Sequence, residues 1–242
     1  MMAMNGLRVL AVDCDSNPNL YMTLGINRDE IGGCIPISED VRQIEERTGA
    51  KPGWGVIFSL TPKVDDIPEH YSVTGPDNIK LLMVGMPRAG SGCMCPANAL
   101  VRMLISHLIL ERDEVIIMDM EAGLEHFGRA TARDVDLMLL VTETSERSIE
   151  TLARMMRHAR DLGINRLWGV VNKATSMNEG IEASKKIEER GVLVKAIIPF
   201  DQKVLEADRL GFSLIDRFPS SEVIKAIKLL KDEIEGSIRQ IS

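Results

Sequence analysis

Six short runs of apolar, often β-branched residues recur along the chain, and most of the stretches between them carry apolar residues at helical spacing. The runs are 7–13, 79–85, 115–119, 137–142, 167–172 and 192–200. Nearly continuous apolar runs, rather than in-and-out alternation, are expected of parallel strands covered on both faces. Pro96 suits a first helical turn, where its missing N–H costs nothing, and Leu100, Val101, Leu104 and Leu108 then share one face. A second helix is predicted over 148–162 from Ile149, Leu152, Met156 and Ala159, with Gly163 as its stop. A third is predicted over 220–241 from Val223, Ile224, Ile227, Leu230 and Ile234. Strands alternating with helices define an α/β protein, a mostly parallel sheet flanked by helices on both faces. The stretch 49–77 breaks this pattern with Pro52-Gly53-Trp54-Gly55 and Val64-Asp65-Asp66-Ile67-Pro68. It reads as a surface excursion from a single domain spanning 1–242, with one short strand at 56–60 and Trp54 as its anchor.

Composition narrows the setting. A chain of 242 residues, 45% of them hydrophobic, can bury one sizeable core. No apolar run approaches the ~20 residues of a membrane-spanning helix, and Met1-Met2-Ala3-Met4-Asn5-Gly6 lacks the pattern of a secretory signal. Four cysteines in this length make no disulfide framework, so a reducing, cytoplasmic setting is expected. A formal charge of −7 argues against a nucleic-acid surface. The mixed-charge end of the chain, 228–242, reads as a core-packing helix rather than a membrane anchor.

In open parallel sheets ligands gather at the carboxyl ends of strands. The first run ends in Asp13-Cys14-Asp15, the third in Asp119-Met120-Glu121-Ala122-Gly123, and the fifth in Asn172-Lys173. Carboxylates on neighbouring strand ends can hold Mg²⁺ or orient a water. Any one of them would serve equally as a helix N-cap; several together point to a nucleotide site. Separately, Gly92-Cys93-Met94-Cys95-Pro96 places two sulfurs close together. Thiolates suit Zn, Ni, Cu(I) or Fe, yet two supply only half of a four-coordinate site. Cys14 and Cys34 are isolated in sequence. Either a second chain provides the remaining ligands, or the pair is simply two small thiols beside a turn. His107 and His126 have no metal-type spacing to the cysteines, and the scattered methionines read as core filling.

The segments 9–15, 90–96 and 115–126 resemble the CooC-type ATPases of the MinD/ParA-like group, which mature nickel-dependent carbon monoxide dehydrogenase. Ser148-Ile149-Glu150-Thr151, Val170-Val171-Asn172-Lys173 and Ile198-Pro199-Phe200-Asp201 extend the resemblance along nearly the whole chain. Its most specific piece is Cys-X-Cys-Pro together with Asp-Met-Glu-Ala-Gly. The resemblance implies that Asp15 orients the hydrolytic water while Asp13 supports the same loop. Asp119 would bind Mg²⁺ through water, and Gly123 would sense the γ-phosphate. Asn172 would read the adenine edge with the Lys173 stem against the base, and Pro199 and Asp201 would lie nearby. Cys93 and Cys95 would meet their symmetry mates in a homodimer, so that four thiolates cage one Ni²⁺, or Zn²⁺. ATP and Mg²⁺ would drive closure and metal capture, and carbon monoxide dehydrogenase or acetyl-CoA synthase would be the client.

One family element is missing. No Gly-x-x-x-x-Gly-Lys-[Ser/Thr] run occurs in these residues, nor its deviant form with an early lysine. That loop supplies much of the phosphate binding, so weak ATP binding and turnover are expected. In the family the strand before it lies inside the sheet, and its removal leaves backbone groups unsatisfied at ~1–3 kcal/mol each. A handful of these rivals a domain's net stability of ~5–15 kcal/mol. The chain is therefore expected to be truncated upstream, with Met1, Met2 and Met4 internal to a longer product. Two other readings stand beside the nickel-insertion ATPase. One is a metal carrier or dimerising adaptor without ATPase activity; the other is a general MinD-like partitioning or iron–sulfur carrier ATPase.

Overall fold

The structure, a computed structural model, describes residues 1–52, 56–85, 95–111, 114–121 and 134–238. They fall into two compact units, 2–131 and 132–242.

The first unit contains β1 (Val9–Asp13), α1 (Leu20–Thr23), α2 (Arg28–Ile31), α3 (Val41–Thr48), α4 (Ile67–Tyr71), β2 (Val73–Thr74), β3 (Lys80–Met83), α5 (Cys95–Glu111) and β4 (Val115–Asp119). Its sheet runs β2-β3-β1-β4, parallel except for the short antiparallel β2. All five residues of β1 are buried, as an apolar strand with a neighbour on each side requires. Ala11, Leu81 and Met83 pack with Ile26 and Ile31 from the segment carrying α2. The helical stripe predicted after Pro96 is present: Leu100, Val101, Leu104 and Leu108 are fully buried, and Ile105 with them.

The second unit contains β5 (Met138–Thr142), α6 (Glu146–Leu162), β6 (Leu167–Ala174), α7 (Met177–Glu188), β7 (Leu193–Pro199), α8 (Gln202–Leu210), α9 (Leu214–Arg217) and α10 (Glu222–Ile238). Its sheet, β5-β6-β7, is wholly parallel. Side chains alternate across a strand, so consecutive residues of β6 face opposite helical layers. Val171 joins Ile149, Leu152 and Met156 of α6 and Ala183 and Ile187 of α7. Val170 joins Val223 and Leu230 of α10. Helices therefore cover both faces of this sheet, as the apolar runs predict. Ser145 and Ser176 cap α6 and α7 through their hydroxyls, and Gly163 ends α6 at φ 95°, a left-handed turn that glycine adopts without penalty.

The excursion departs from expectation at one point. Residues 56–60 form no strand; Ile57 is almost fully exposed, and Ser59 makes a single backbone bond to Thr48. The excursion is fastened by Arg47 instead. Its guanidinium reaches both Asp66 oxygens at 2.7 and 2.8 Å, the Lys63 carbonyl at 2.8 Å and Gln43 at 2.8 Å. Trp54 lies outside the described residues, and so does His126. Among the described residues, β4 and β5 each pair on one side only, and Ile117 and Val141 are exposed on them.

Candidate nucleotide site

The first group of site residues sits at the carboxyl ends of β1 and β4. Parallel pairing sets Asp13 beside Asp119 in register, and Cys14 donates its N–H to the Asp119 carbonyl at 2.9 Å. Asp13 is buried. One of its carboxylate oxygens accepts the Asp15 N–H at 3.1 Å, the other the Leu20 N–H at 2.8 Å. Both oxygens are thus committed to shaping the loop that carries Asp15. Asp15 in turn accepts the Asn17 N–H at 2.7 Å through one oxygen.

Electrostatics mark this group as short of positive charge. The Asp119 side chain reaches solvent, yet partial burial, followed by the charges of Asp13 and Asp15, raises its carboxyl above the ordinary range. The Cys14 thiol, fully buried between the acidic residues, is pushed up to about 12 by burial first and then by Asp13 and Asp119. It is a protonated structural thiol, not a nucleophile. A divalent cation fits here in the manner of Mg²⁺, through one or two carboxylates completed by phosphate and water. Asp119 and the second Asp15 oxygen are the candidates; Asp13 is not. Among the described residues, no cluster of three or more acidic, His or Cys side chains stands ready to hold a metal by itself.

The second group sits at the carboxyl ends of β6 and β7. Pairing between these strands steps from Val171↔Ile197 to Ala174↔Pro199, which makes a bulge at Asn172-Lys173. Lys173 adopts φ 56°, rare for a residue with a side chain. The Asn172 Oδ1 accepts the Lys173 N–H at 2.9 Å, and the Lys173 ammonium meets Glu143 at 2.7 Å. Pro199 ends β7, and Phe200 donates to the Ala174 carbonyl at 2.8 Å, so the two strand ends are tied together. Asp201 caps α8 by accepting the Lys203 N–H at 2.9 Å. Asn172, Lys173, Pro199 and Asp201 are therefore neighbours around one corner.

Other predicted positions are less completely described. Gly123 and Cys93 lie outside the described residues, and Cys95 enters only as the first backbone position of α5. Sequence reasoning passed over Glu121, whose carboxylate accepts the Ser16 N–H at 3.2 Å and the Ser16 hydroxyl. This ties the segment after β4 to the loop of Asp15. It also passed over Glu143 and Glu179. Only Glu179 carried a local signal, the Ser176-x-x-Glu179 spacing of a capping box.

Parallel sheets with covering helices, and acidic residues at adjacent strand ends, define an α/β protein whose candidate site lies at the carboxyl ends of its strands. Residues 1–212 match the CobQ/CobB/MinD/ParA nucleotide binding domain, and the chain belongs to that family. It is 47% identical over 213 residues to an uncharacterized ATP-binding protein of Methanocaldococcus jannaschii, covering 86% of this chain and 79% of that protein. It is 41% identical over 216 residues to the carbon monoxide dehydrogenase accessory protein CooC of Rhodospirillum rubrum, covering 89% and 81% respectively. Among solved structures, the septum site-determining protein MinD of Pyrococcus horikoshii complexed with Mg-ADP superposes with a TM-score of 0.66. That match has 18% identity and covers 96% of this chain and 85% of the other. The MinD cell division ATPase of Pyrococcus furiosus also gives 0.66, at 20% identity, with coverage of 97% and 88%. These two likenesses establish the fold. Among the described residues, no helix is long and apolar enough to cross a membrane.

Proposed function

We propose that the chain is an ATP-dependent nickel-insertion accessory factor that matures carbon monoxide dehydrogenase or acetyl-CoA synthase in the cytoplasm. The observation carrying this is the 41% identity to CooC of Rhodospirillum rubrum in a chain that also holds Cys93-Met94-Cys95-Pro96 and Asp119-Met120-Glu121-Ala122-Gly123. In this reading two copies of the single-domain chain form a homodimer. Cys93 and Cys95 of each supply two thiolates to one Ni²⁺ or Zn²⁺, the cargo. Asp15 orients the attacking water, held in place by the loop that Asp13 shapes. Asp119 holds Mg²⁺ through water, which neutralises phosphate charge, and Gly123 lets backbone approach the γ-phosphate. Asn172 reads the adenine edge, Lys173 lays its stem against the base, and Pro199 and Asp201 border it. The two backbone donors on Asp13 support the loop role, and the raised Asp119 carboxyl supports a cation beside it.

A second reading, a metal-carrying adaptor without ATPase activity, rests on the Cys93-Met94-Cys95 pair alone. Equilibrium dialysis of the reduced full chain with Ni²⁺ or Zn²⁺, with and without MgATP, separates the two. About one metal per two chains is expected, strengthened by MgATP and abolished by Cys93→Ser with Cys95→Ser. Metal-linked dimers indifferent to ATP select the adaptor. Metal uptake unaffected by the double substitution removes both readings.

A further inference from the structure

The corner formed by Asn172 and Lys173 is an unlikely piece of backbone. A bulge interrupts the β6–β7 ladder there, and Lys173 holds a left-handed conformation that side-chain-bearing residues rarely adopt. Such a corner persists only where its surroundings fix it. The Lys173–Glu143 pair is a weak fastener, because both side chains are more than half exposed and salt screens them.

Glu179 is the stronger one. It stands in the first turn of α7, three residues after the N-cap Ser176, whose hydroxyl accepts the Glu179 N–H at 3.2 Å. In an ordinary capping box the glutamate carboxylate would turn back to the N-cap N–H. Here one carboxylate oxygen accepts both the backbone N–H of Thr175, at 2.9 Å, and the Thr175 hydroxyl. The other oxygen accepts the hydroxyl of Thr144, which follows β5. One carboxylate therefore joins the loop after β5, the loop after β6 and the start of α7. The Thr144 hydroxyl first, then the Thr175 hydroxyl and N–H, hold this carboxyl below its ordinary range, so it stays ionised and accepting at neutral pH.

We infer that Glu179, acting through Thr144 and Thr175, is a positioning residue that presets the Asn172-Lys173 corner for recognition of the nucleotide base. The inference rests on the proposed reading of that corner as the base site. Asparagine pairs with the N6 and N7 edge of adenine through a fixed amide plane, and guanine presents a different edge. A loosened corner would therefore lose ATP-over-GTP preference before it loses affinity for the triphosphate.

The test measures ATP and GTP binding to the full chain for Thr144→Val, Glu179→Ala and Asn172→Ala beside the unaltered protein, with thermal melts of each. Thr144→Val is near-isosteric and lies outside α7, so it leaves the helix start intact. Both Thr144→Val and Glu179→Ala are expected to cut the ATP-over-GTP ratio roughly fivefold, the scale of one lost hydrogen bond, with GTP affinity held. If Asn172→Ala lowers the ratio while Thr144→Val does not, Glu179 only starts its helix and the inference falls alone. If the unaltered chain shows no preference, or Asn172→Ala does not change it, the base reading falls and takes the inference with it.

Discussion

Replacing Asp13 by asparagine keeps the shape of the side chain and removes one acceptor. In the structure one oxygen takes the Asp15 N–H at 3.1 Å and the other takes the Leu20 N–H at 2.8 Å, within a buried side chain. Asparagine can satisfy one of these donors with its carbonyl oxygen. The shorter bond to Leu20 should be kept, leaving the Asp15 N–H facing an amide NH₂. A buried donor left without an acceptor costs ~1–3 kcal/mol. The opposing term is relief of repulsion with Asp119, whose carboxyl is raised first by burial and second by the Asp13 charge. Asp119 reaches solvent, which limits that relief to a few tenths of a kcal/mol, as for exposed charges generally. Cys14 contributes no relief, because a thiol pushed up to about 12 is neutral at pH 7. The net loss should therefore be about 1–2 kcal/mol. With a urea slope of ~1–3 kcal/mol per molar, the unfolding midpoint of the first unit should fall by roughly 0.3–2 M. NMR titration should show the Asp119 carboxyl moving down toward the ordinary range. An unchanged or raised midpoint would refute the claim that both Asp13 oxygens are held by backbone donors.

Two further outcomes follow from packing and charge. In Gly180→Ala the added Cβ would lie 2.5 Å from Ile197 Cγ2 and 3.3 Å from the Ala174 Cβ. The ~1 kcal/mol gain in helix propensity should lose to ~1–3 kcal/mol of overpacking, and a double-mutant cycle with Ile197→Ala should show non-additive coupling. Asp66 is depressed to about 2, chiefly by its hydrogen bonds to Arg47. A carboxyl depressed on folding stabilises above its ordinary 3.8 and loses that contribution as pH falls through about 2. Because the Asp66 side chain is 39% exposed, the contribution is screened to about 1 kcal/mol. Thermal melts of Arg47→Met against the unaltered chain should thus differ more at pH 7 than near pH 2, where only the loss of the bonds to Gln43 and the Lys63 carbonyl remains; a difference that stays constant with pH would count against the pair.

How far the sequence reaches depends on whether a feature is local. The run 115–119 coincides with β4, because an apolar strand ending in Asp carries its own boundary. The run 7–13 starts late, at Val9, because Leu7 is 41% exposed and has no packed layer to join. The helix predicted at 148 begins at 146, where the Ser145 hydroxyl rather than apolar spacing sets the start. At 56–60 Ile57 and Leu60 are left exposed, and the backbone bond from Ser59 to Thr48 does not extend into a ladder. Asp13 and Asp119 stand out in the sequence because each ends an apolar strand, and Asp15 and Asn172 because each lies within two residues of a strand's end. Their fasteners do not: Ser16 and Glu121 are 105 residues apart, and Thr144 and Glu179 are 35 apart. A local pattern shows that a carboxylate is present and says nothing of which distant hydroxyl it will meet.

Asp13 and Asp119 are partners in register with opposite roles, and the difference decides what chemistry the acidic group allows. Asp13 has spent neither oxygen on solvent; both hold backbone donors, so its charge is fixed in place and unavailable as a ligand. Asp119 faces outward; partial burial first, and then that fixed charge and Asp15, raise its carboxyl above the ordinary range. A nucleotide's phosphates bring more charge of the same sign, so they cannot settle beside these strand ends unless positive charge arrives with them. A divalent cation bound through Asp119 and the open Asp15 oxygen would remove both conflicts at once, replacing two unfavourable charge pairs with favourable ones. In the proposed reading, that shared negative charge would make metal and nucleotide binding there mutually dependent.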